Sequence, residues 1–485
     1  MSETPTAFAT TGVKDTMRMW QLVLLMAATS LGYFVVQLDV SIVNLSLPAI
    51  QHYFQIDVAM LQWIVNSYTL SFSVVLLSAG VLGDRYGSKN FLLLGYVVFC
   101  AASLACGMAP TVPTMLLARF VQGIGAAIIV PNSLAVINWA LPDNKSLRLT
   151  LVSIWMAFGG AALTSGPIFG GIINSIANWR YIFFINLPIC ALGVFLTARH
   201  VKATPRRDAR SQDWIGQLLL LCFATALLVL IINFAELSRD ARLALAAAAV
   251  ASLAIFIRVE KRSQDPAIPL DIFRNIGLQK VFLIAVMVNF VYFGVVFFSS
   301  LYFRHYLKMT VLQAGLAFIP VTLPLIASNL LSARISRTYG PERSIAIGFW
   351  LMIPGLLYLA LPALRTSYGL MLPAFAVTTF GIGFISSTIT AMAMNSIGPE
   401  RGGMISAVVN FFRQIAGAFG VAVFGIFMTS ADRETAYRHF GVALVSVALV
   451  LLLSIAVFAR LERSRSATFP LAAPRRASQR RWFWH

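Results

Sequence analysis

The chain has 485 residues, of which 59% are hydrophobic and 11% are charged, and its mean hydropathy is +0.80. A soluble globular protein has about a quarter of its residues charged, so this composition excludes the soluble classes and indicates a membrane protein with many spans. The formal net charge of +19 predicts an anionic partner, either nucleic acid or lipid head groups.

Fourteen apolar stretches, separated by charged or Pro/Gly-marked breaks, run along nearly the whole chain. An α-helix needs roughly 20 apolar residues to cross a bilayer, whereas a β-barrel strand alternates in polarity over about 10 residues. The sequence therefore predicts an all-α polytopic membrane protein. The predicted spans are residues 20–47, 59–82, 91–109, 114–139, 147–173, 180–198, 214–234, 241–257, 277–303, 310–333, 344–362, 367–396, 402–430 and 439–459.

The positions of lysine and arginine predict the topology. With the N-terminus in the cytoplasm, 27 of the 37 cationic residues fall on the inner side and eight on the outer side, while Arg119 and Arg413 lie within spans. This asymmetry indicates an even number of spans with both termini inside. Anionic head groups of the inner leaflet attract such cations, so we expect the lipid bilayer as their partner and not nucleic acid, even for Arg480 and Arg481 in the tail.

The chain contains a weak internal repeat. The sequence GDRYGSK at 83–89 follows the second span, and a counterpart, ARISRTYG at 333–340, follows the tenth. Two six-helix bundles related in parallel are the basis of rocking transporters. The predicted segments are an N-terminal cytoplasmic tail (1–19), a first bundle (20–198), a linker region with two extra spans (199–276), a second bundle (277–460) and a basic cytoplasmic tail (461–485).

Asp39 is the one carboxylate predicted within a span. An ionised group at that depth costs roughly 2.5–3.5 kcal/mol even on the mildest scales, so it indicates a partner or a function. The four cysteines lie inside spans, and the five histidines are scattered over span ends and tails. Because neither a metal-ligand spacing nor a nucleophile–base pair is visible, we expect no metal, no cofactor and no enzymatic activity.

Four motifs occur in a fixed order along the chain. They are DVSIVN at 39–44 followed by Leu47-Pro48, the loop 83–89, Arg119 with QGIG at 122–125, and a glycine-rich segment at 159–171 followed by Trp179-Arg180. Together they resemble the major facilitator superfamily and, more narrowly, its fourteen-span drug:proton antiporters of the DHA2 type. The likeness covers nearly the whole length. The second copy of the loop lacks the acidic residue of the first, which leaves the two halves electrically unequal.

The loop 83–89 is the predicted inner gate. Gly83 and Gly87 permit a tight turn, while Asp84, Arg85 and Lys89 are able to pair with charges or helix ends of the other half. The family resemblance implies that this pairing latches the gate. The alternative is an ordinary charged cytoplasmic loop, which explains Arg85 and Lys89 but not Asp84.

Arg119 and Asp39 are the predicted proton-coupling pair. A guanidinium within a span must face the bundle interior or a wet cavity, and its natural partner is Asp39 or a polar residue of the first span. A carboxyl group binds a proton less tightly beside a cation and more tightly in a dry environment, so a conformational change that alters either would load or release a proton. The alternative is a static ion pair, or an extended Arg119 side chain that only holds two helices together.

The fifth predicted span carries the glycine-rich motif. Small residues at a spacing of four let helices approach closely, and a proline bends the helix by removing a hydrogen bond. In the family that the chain resembles, this pattern marks exporters, and the alternative is a general helix-contact face. The residues of this antiporter helix are Gly159, Gly166, Pro167, Gly170 and Gly171, with Gly160 between them.

Aromatic and amide side chains are the candidates for the substrate cavity, because such a mixture suits amphipathic molecules. Each is also explained by ordinary packing. The candidates are Tyr33, Gln37, Trp63, Asn66, Tyr68, Asn132, Tyr292 and Asn410, together with Arg413, which lies in a span resembling a further signature of the same subfamily. Asp39 favours lipophilic cations, whereas Arg119 and Arg413 leave neutral or anionic substrates open.

The leading hypothesis is a proton-coupled antiporter of the inner or plasma membrane that exports hydrophobic or amphipathic compounds by alternating access. Its partners are a small-molecule substrate, protons and the bilayer. We expect a monomer, and a periplasmic adaptor would not be visible in the sequence. The alternatives are an exporter of one metabolite, lipid or siderophore, and a membrane sensor or scaffold that transports nothing.

Overall fold

The computed structural model describes residues 19–141, 144–206, 212–395, 402–429 and 432–468. Its helices are α1 (Met19–Phe54), α2 (Val58–Tyr86), α3 (Ser88–Met108), α4 (Val112–Ala140), α5 (Lys145–Ile176), α6 (Tyr181–Phe184), α7 (Asn186–His200), α8 (Trp214–Ile232), α9 (Arg239–Arg262), α10 (Ile276–His305), α11 (Val311–Ala317), α12 (Ile319–Tyr339), α13 (Pro341–Leu359), α14 (Tyr368–Asn395), α15 (Gly402–Ile426) and α16 (Arg433–Thr468). These ranges contain 14 segments that are long and apolar enough to cross a membrane. The predicted all-α fold with fourteen spans is confirmed.

The helices form two bundles. In the first, built from α1 to α7, α1 packs on α5 and α7, while α4 lies against α2 and α3. In the second, built from α10 to α16, α10 packs on α15, and α14 lies against α12 and α13. The bundles meet where α2 contacts α15 and where α5 contacts α11. Each of these contacts joins a helix of the first bundle to a helix of the second. The bundles can therefore move relative to one another only if these contacts change.

The largest extensions beyond the predicted span ends are those of α1 and α16. Helix α1 continues through Pro48 to Phe54, although the prediction ended this span at residue 47. A proline removes one backbone hydrogen bond, but leaving the helix would expose several more backbone groups, so the helix persists. Helix α16 runs to Thr468, which places the start of the predicted cytoplasmic tail in a helix. Residues 1–18 and 469–485 of the predicted tails lie outside the described residues.

The internal repeat is visible in the backbone. Gly87, between α2 and α3, has φ = 93°, and Gly340, between α12 and α13, has φ = 91°. Residues with a side chain rarely adopt such values, because the Cβ atom would clash with the backbone. The two halves therefore make the same glycine-dependent turn after their second spans, even though the second copy has lost its acidic residue.

Replacing Gly87 with alanine is expected to destabilise the folded protein by about 1–3 kcal/mol, the typical cost of a strained backbone conformation. The added Cβ would also lie 3.3 Å from the carbonyl oxygen of Thr204. Thermal unfolding in detergent measures the effect. The matched control is Gly80→Ala, because the nearest atom to that new Cβ is 3.9 Å away in Pro131. Equal unfolding temperatures for the two variants would contradict the requirement for glycine.

The two extra spans lie at the boundary between the bundles. Helix α8 packs on α9 and also contacts α2 of the first bundle and α15 of the second. The amide of Gln217 on α8 donates a buried hydrogen bond to the hydroxyl of Ser78 on α2. Helix α8 thus touches both bundles at one of the places where the bundles meet.

Candidate functional site

Asp39 and Arg119 form a buried ion pair inside the first bundle. Asp39 lies on α1 and Arg119 on α4, and Nη1 of Arg119 is 2.5 Å from Oδ2 of Asp39. The arginine side chain is 2% exposed and the aspartate 0%. Removing either charge would leave the other buried without compensation, which is strongly unfavourable. The geometry thus brings together the two residues that the sequence predicts as the proton-coupling pair.

Amide side chains from α4 and α7 also bind the carboxylate of Asp39. Gln122 Nε2 and Asn186 Nδ2 both donate to Oδ1 of Asp39, at 2.9 Å and 3.0 Å. Each amide also donates to the hydroxyl of Ser103, at 2.8 Å and 3.3 Å. Asp39 is therefore held by α4 and α7 at once, with α3 supporting the amides, and any change in its charge acts on the packing of four helices.

The guanidinium of Arg119 is fixed from three further sides. Its Nε donates to the carbonyl oxygen of Ile64 at 3.2 Å, and Nη1 also donates to Oε1 of Gln122 at 2.7 Å. Its central carbon lies 4.3 Å from the ring centroid of Tyr68, a geometry that favours a cation. Tyr68 is a predicted substrate residue, but its ring is only 2% exposed. In this conformation it packs against the ion pair.

The glycines of the predicted antiporter helix, α5, make room for side chains of α1. A Cβ on Gly159 would lie 1.9 Å from the ring of Tyr33, and one on Gly166 would lie 1.8 Å from Oγ of Ser41. At Gly170 the nearest atoms belong to Ile42, at 3.1 Å. Close helix contact is the role that small residues play in membrane bundles. Helix α5 thus packs tightly against α1 on both sides of Asp39 along the chain.

The outer end of α5 contacts the second bundle. A Cβ on Gly315 of α11 would lie 2.6 Å from the carbonyl oxygen of Pro167 and 3.1 Å from Cα of Gly171. Across the other contact between the bundles, Gln62 Nε2 donates to the carbonyl oxygens of Val421 and Ala422, at 3.0 Å and 2.8 Å. By the charge-based topology these contacts lie in the outer halves of their helices. The structure is therefore closed on the outer side.

The predicted gating loop is anchored in the first bundle. A Cβ on Gly83 would overlap Asn132, whose side-chain amide donates to the carbonyl oxygens of Ala79 and Ile128. Lys89 Nζ donates to the carbonyl oxygen of Ala198 at 3.1 Å, near the end of α7, where a cation is favourable. Asp84 and Arg85, by contrast, are exposed. The latch to the other half remains a prediction.

The predicted substrate residues divide into two groups. Asn66 and Asn132 are fully buried, and Asn132, like Tyr68, has its contacts within the first bundle in this conformation. Tyr292 lines a narrow pocket of about 20 Å³ between α1, α5, α10 and α12. The partly exposed candidates are Tyr33, Gln37, Trp63, Asn410 and Arg413.

Several site residues are absent from the set predicted from the sequence. Gln122 belongs to the QGIG motif, and Asn186 follows Trp179-Arg180 along the chain. Neither residue was predicted from the sequence to contact the carboxylate of Asp39. A buried amide in an apolar span is itself a signal, because it needs hydrogen-bond partners. Ser103 and Gly315 carried no such signal, since small residues occur throughout membrane helices. In the described part of the chain, no three His, Cys, Asp or Glu residues lie together in a way that would hold a metal ion.

Two bundles that meet in changeable contacts, with an ion pair inside one of them, define a membrane transporter. The family model for the Major Facilitator Superfamily matches residues 29–421, so the chain belongs to that superfamily. It is a transporter and not an enzyme, and a multi-pass protein of the plasma membrane.

The relatives of the chain are resistance and efflux proteins. It is 34% identical over 409 residues to the methylenomycin A resistance protein of Streptomyces coelicolor, covering 84% of this chain and 85% of that protein. It is 32% identical over 418 residues to the multidrug resistance protein Stp of Mycobacterium tuberculosis, covering 86% and 78%. The drug efflux pump JefA of the same species is 30% identical over 401 residues, covering 82% and 78%.

Solved transporters share the fold. A POT family transporter in complex with 5-aminolevulinic acid superimposes with a TM-score of 0.65 at 15% identity, covering 89% of this chain and 95% of that one. The nucleoside transporter NupG gives 0.64 at 11% identity, covering 90% and 99%. The chain is thus a small-molecule transporter of the superfamily's drug-efflux branch.

Proposed function

We propose that the protein exports hydrophobic or amphipathic compounds in exchange for protons, and that Asp39 carries the proton. The observation that supports this is the enclosure of one carboxylate, 0% exposed, by a cation and two amides deep in a membrane helix. Such an arrangement places a protonatable group where a change in its charge would act on the helices that hold it. The printed names of the relatives, which include drug efflux and resistance proteins, support export as the direction.

The proton site and the outer gate are linked through α1 and α5. Ser41, two residues after Asp39, contacts α5 at Gly166, and Gly171 on the same helix contacts Gly315 of the second bundle. When a proton entering from outside neutralises Asp39, its attraction to Arg119 weakens and α1 is free to shift. Because packed helices switch between discrete arrangements, a small shift of α1 is carried by α5 to the gate.

The function is tested by collapse of a pH gradient in inside-out membrane vesicles. Vesicles acidified inside by respiration receive a panel of lipophilic cations, neutral drugs and amphipathic anions, and an acridine dye reports the gradient. We expect vesicles with the native protein to lose the gradient with several compounds, and vesicles without it to keep it.

The breadth of response separates the alternatives. Collapse with a single compound would favour a narrow exporter, for which the relative named for resistance to one antibiotic is the supporting observation. If no compound of any charge class collapses the gradient, the proposal of proton-coupled multidrug export fails and a membrane protein without transport activity gains support.

A further inference from the structure

We propose that Arg413 binds an acidic group of the substrate, so that the exported compounds are amphipathic anions. The inference rests on the proposed export function and specifies its substrate class. It follows from the juxtaposition of three features: an arginine that forms no ion pair with the described residues, a tyrosine ring stacked on a buried tryptophan, and an apolar pocket between the two bundles.

Few interactions with the described residues stabilise the positive charge of Arg413. It lies on α15 of the second bundle, and its Nε is 3.5 Å from Oδ1 of Asn289, at the limit of a hydrogen bond. Within the described residues it forms no ion pair. Across the boundary it faces Tyr33 of the first bundle, which is near enough for the charge of one to affect the other. Since a guanidinium has five N–H donors, most of them are available to a ligand.

Asp39 cannot provide the opposite charge for a cationic substrate in this conformation. Its two oxygens accept from Arg119, Gln122 and Asn186, and the residue is 0% exposed. The charge that borders the space between the bundles is therefore positive and comes from Arg413. A carboxylate or another planar anion is the group that a guanidinium binds most strongly, through paired hydrogen bonds.

A flat aromatic surface lies beside this charge. The rings of Tyr33 and Trp155 are stacked, with centroids 3.9 Å apart and an angle of 14° between the planes. Trp155 is fixed by a hydrogen bond from its Nε1 to the hydroxyl of Ser133 at 3.1 Å, and Gly159 leaves the space that the Tyr33 ring occupies. Trp155 is buried and Tyr33 is partly exposed, so the Tyr33 ring, held in place by the stack, is the part that could contact a planar ligand with little reordering on binding.

The apolar pocket lies next to the charge on the outer side. Phe293 of α10, one helical turn beyond Asn289, lines the pocket together with Tyr292 and Val296. From the first bundle, Val40 and Leu163 line the opposite wall. In this conformation the pocket, of about 20 Å³, holds no more than a water-sized group, so the hydrophobic body of a substrate would enter between these apolar walls only as the bundles separate.

The test compares two dyes that share a xanthene ring system, anionic fluorescein and cationic rhodamine 123. Binding to purified protein in neutral phosphatidylcholine nanodiscs is followed by fluorescence anisotropy, without a pH gradient. We expect fluorescein to bind the native protein more tightly than rhodamine 123. Arg413→Gln should weaken fluorescein binding by about 10- to 100-fold, the range for a lost hydrogen bond to a charged group, without weakening rhodamine 123.

Two further variants keep the test decisive. Arg413→Lys retains the cation but not the planar fork, so its loss of fluorescein affinity should be smaller than that of Arg413→Gln. Arg239→Gln removes the same charge from the exposed start of α9 and should leave fluorescein binding unchanged. A native protein that binds neither dye or prefers rhodamine 123, or an equal loss of both dyes in Arg413→Gln, would overturn the proposal. Because no proton gradient is used, a failure of proton coupling would not alter these results.

Discussion

Replacing Asp39 with asparagine is expected to abolish uphill export, reducing it to the level of vesicles without the protein. Asparagine keeps the shape of the side chain but can neither bind a proton nor neutralise Arg119. Proton entry therefore no longer changes the charge of the site, and the proton gradient can no longer drive the conformational change of the two bundles. Exchange of labelled for unlabelled substrate without a gradient should persist, because the substrate site lies elsewhere. Accumulation and exchange are measured in the same proteoliposomes.

The stability of this variant needs its own measurement. Breaking a buried ion pair by removing one partner costs about 3–5 kcal/mol, although Gln122 Nε2 can still donate to the new amide oxygen. Thermal unfolding shows whether the variant remains folded. The matched control is Asp57→Asn at the exposed N-cap of α2, which makes the same chemical change and should export normally. If folded Asp39→Asn still exports substrate under a proton gradient, the proton is carried by another residue.

Replacing Gly315 with leucine is expected to hold the outer side open and stop export. Even a Cβ at this position would lie 2.6 Å from the carbonyl oxygen of Pro167, and a backbone atom cannot rotate away. Overpacking of this kind costs about 1–3 kcal/mol, which would shift the balance away from the outer-closed state by roughly 5- to 150-fold. Since alternating access requires closure on the outer side, the export rate should fall by a similar factor.

The conformational shift can be observed directly by cysteine labelling. Ala422 is 0% exposed and its carbonyl oxygen accepts from Gln62 at the other contact between the bundles. In a background without the native cysteines, Ala422→Cys should react slowly with an impermeant maleimide, and faster when Gly315→Leu is added. Gly369→Leu is the control, because the nearest side-chain atom to its Cβ is 3.7 Å away at an exposed position. Unchanged labelling would place the outer gate elsewhere.

In the proposed mechanism the proton site and the substrate site are separate. The Asp39 network lies wholly in the first bundle, whereas Arg413 belongs to the second and faces Tyr33 across the boundary. An exchange of proton and substrate then depends on conformation and not on direct competition for one carboxylate. The expectation from the sequence that Asp39 favours lipophilic cations would require a state in which the ion pair is broken.

Much of the fold was predictable from composition, because a bilayer requires each span to satisfy its own backbone hydrogen bonds and so to be a long apolar helix. The fourteen spans follow from this requirement and from the sidedness of the charges. The end of α1 did not follow, because Pro48 is a break signal by itself and the surrounding bundle overrides it. The partnership of Asp39 with Arg119 was predicted for a similar reason: two opposite charges at similar depth need each other.

The sequence by itself determined that this protein crosses the membrane fourteen times, contains a repeat in its two halves and carries Asp39 and Arg119 within spans. The tertiary structure decided which amides hold that acid, since Gln122 and Asn186 are 64 residues apart and meet only when α4 packs near α7. It also decided that in this conformation Tyr68 and Asn132 pack inside the first bundle, whereas Arg413 is partly exposed. Residue type fixes what a side chain can do, whereas helix packing fixes which partners it meets.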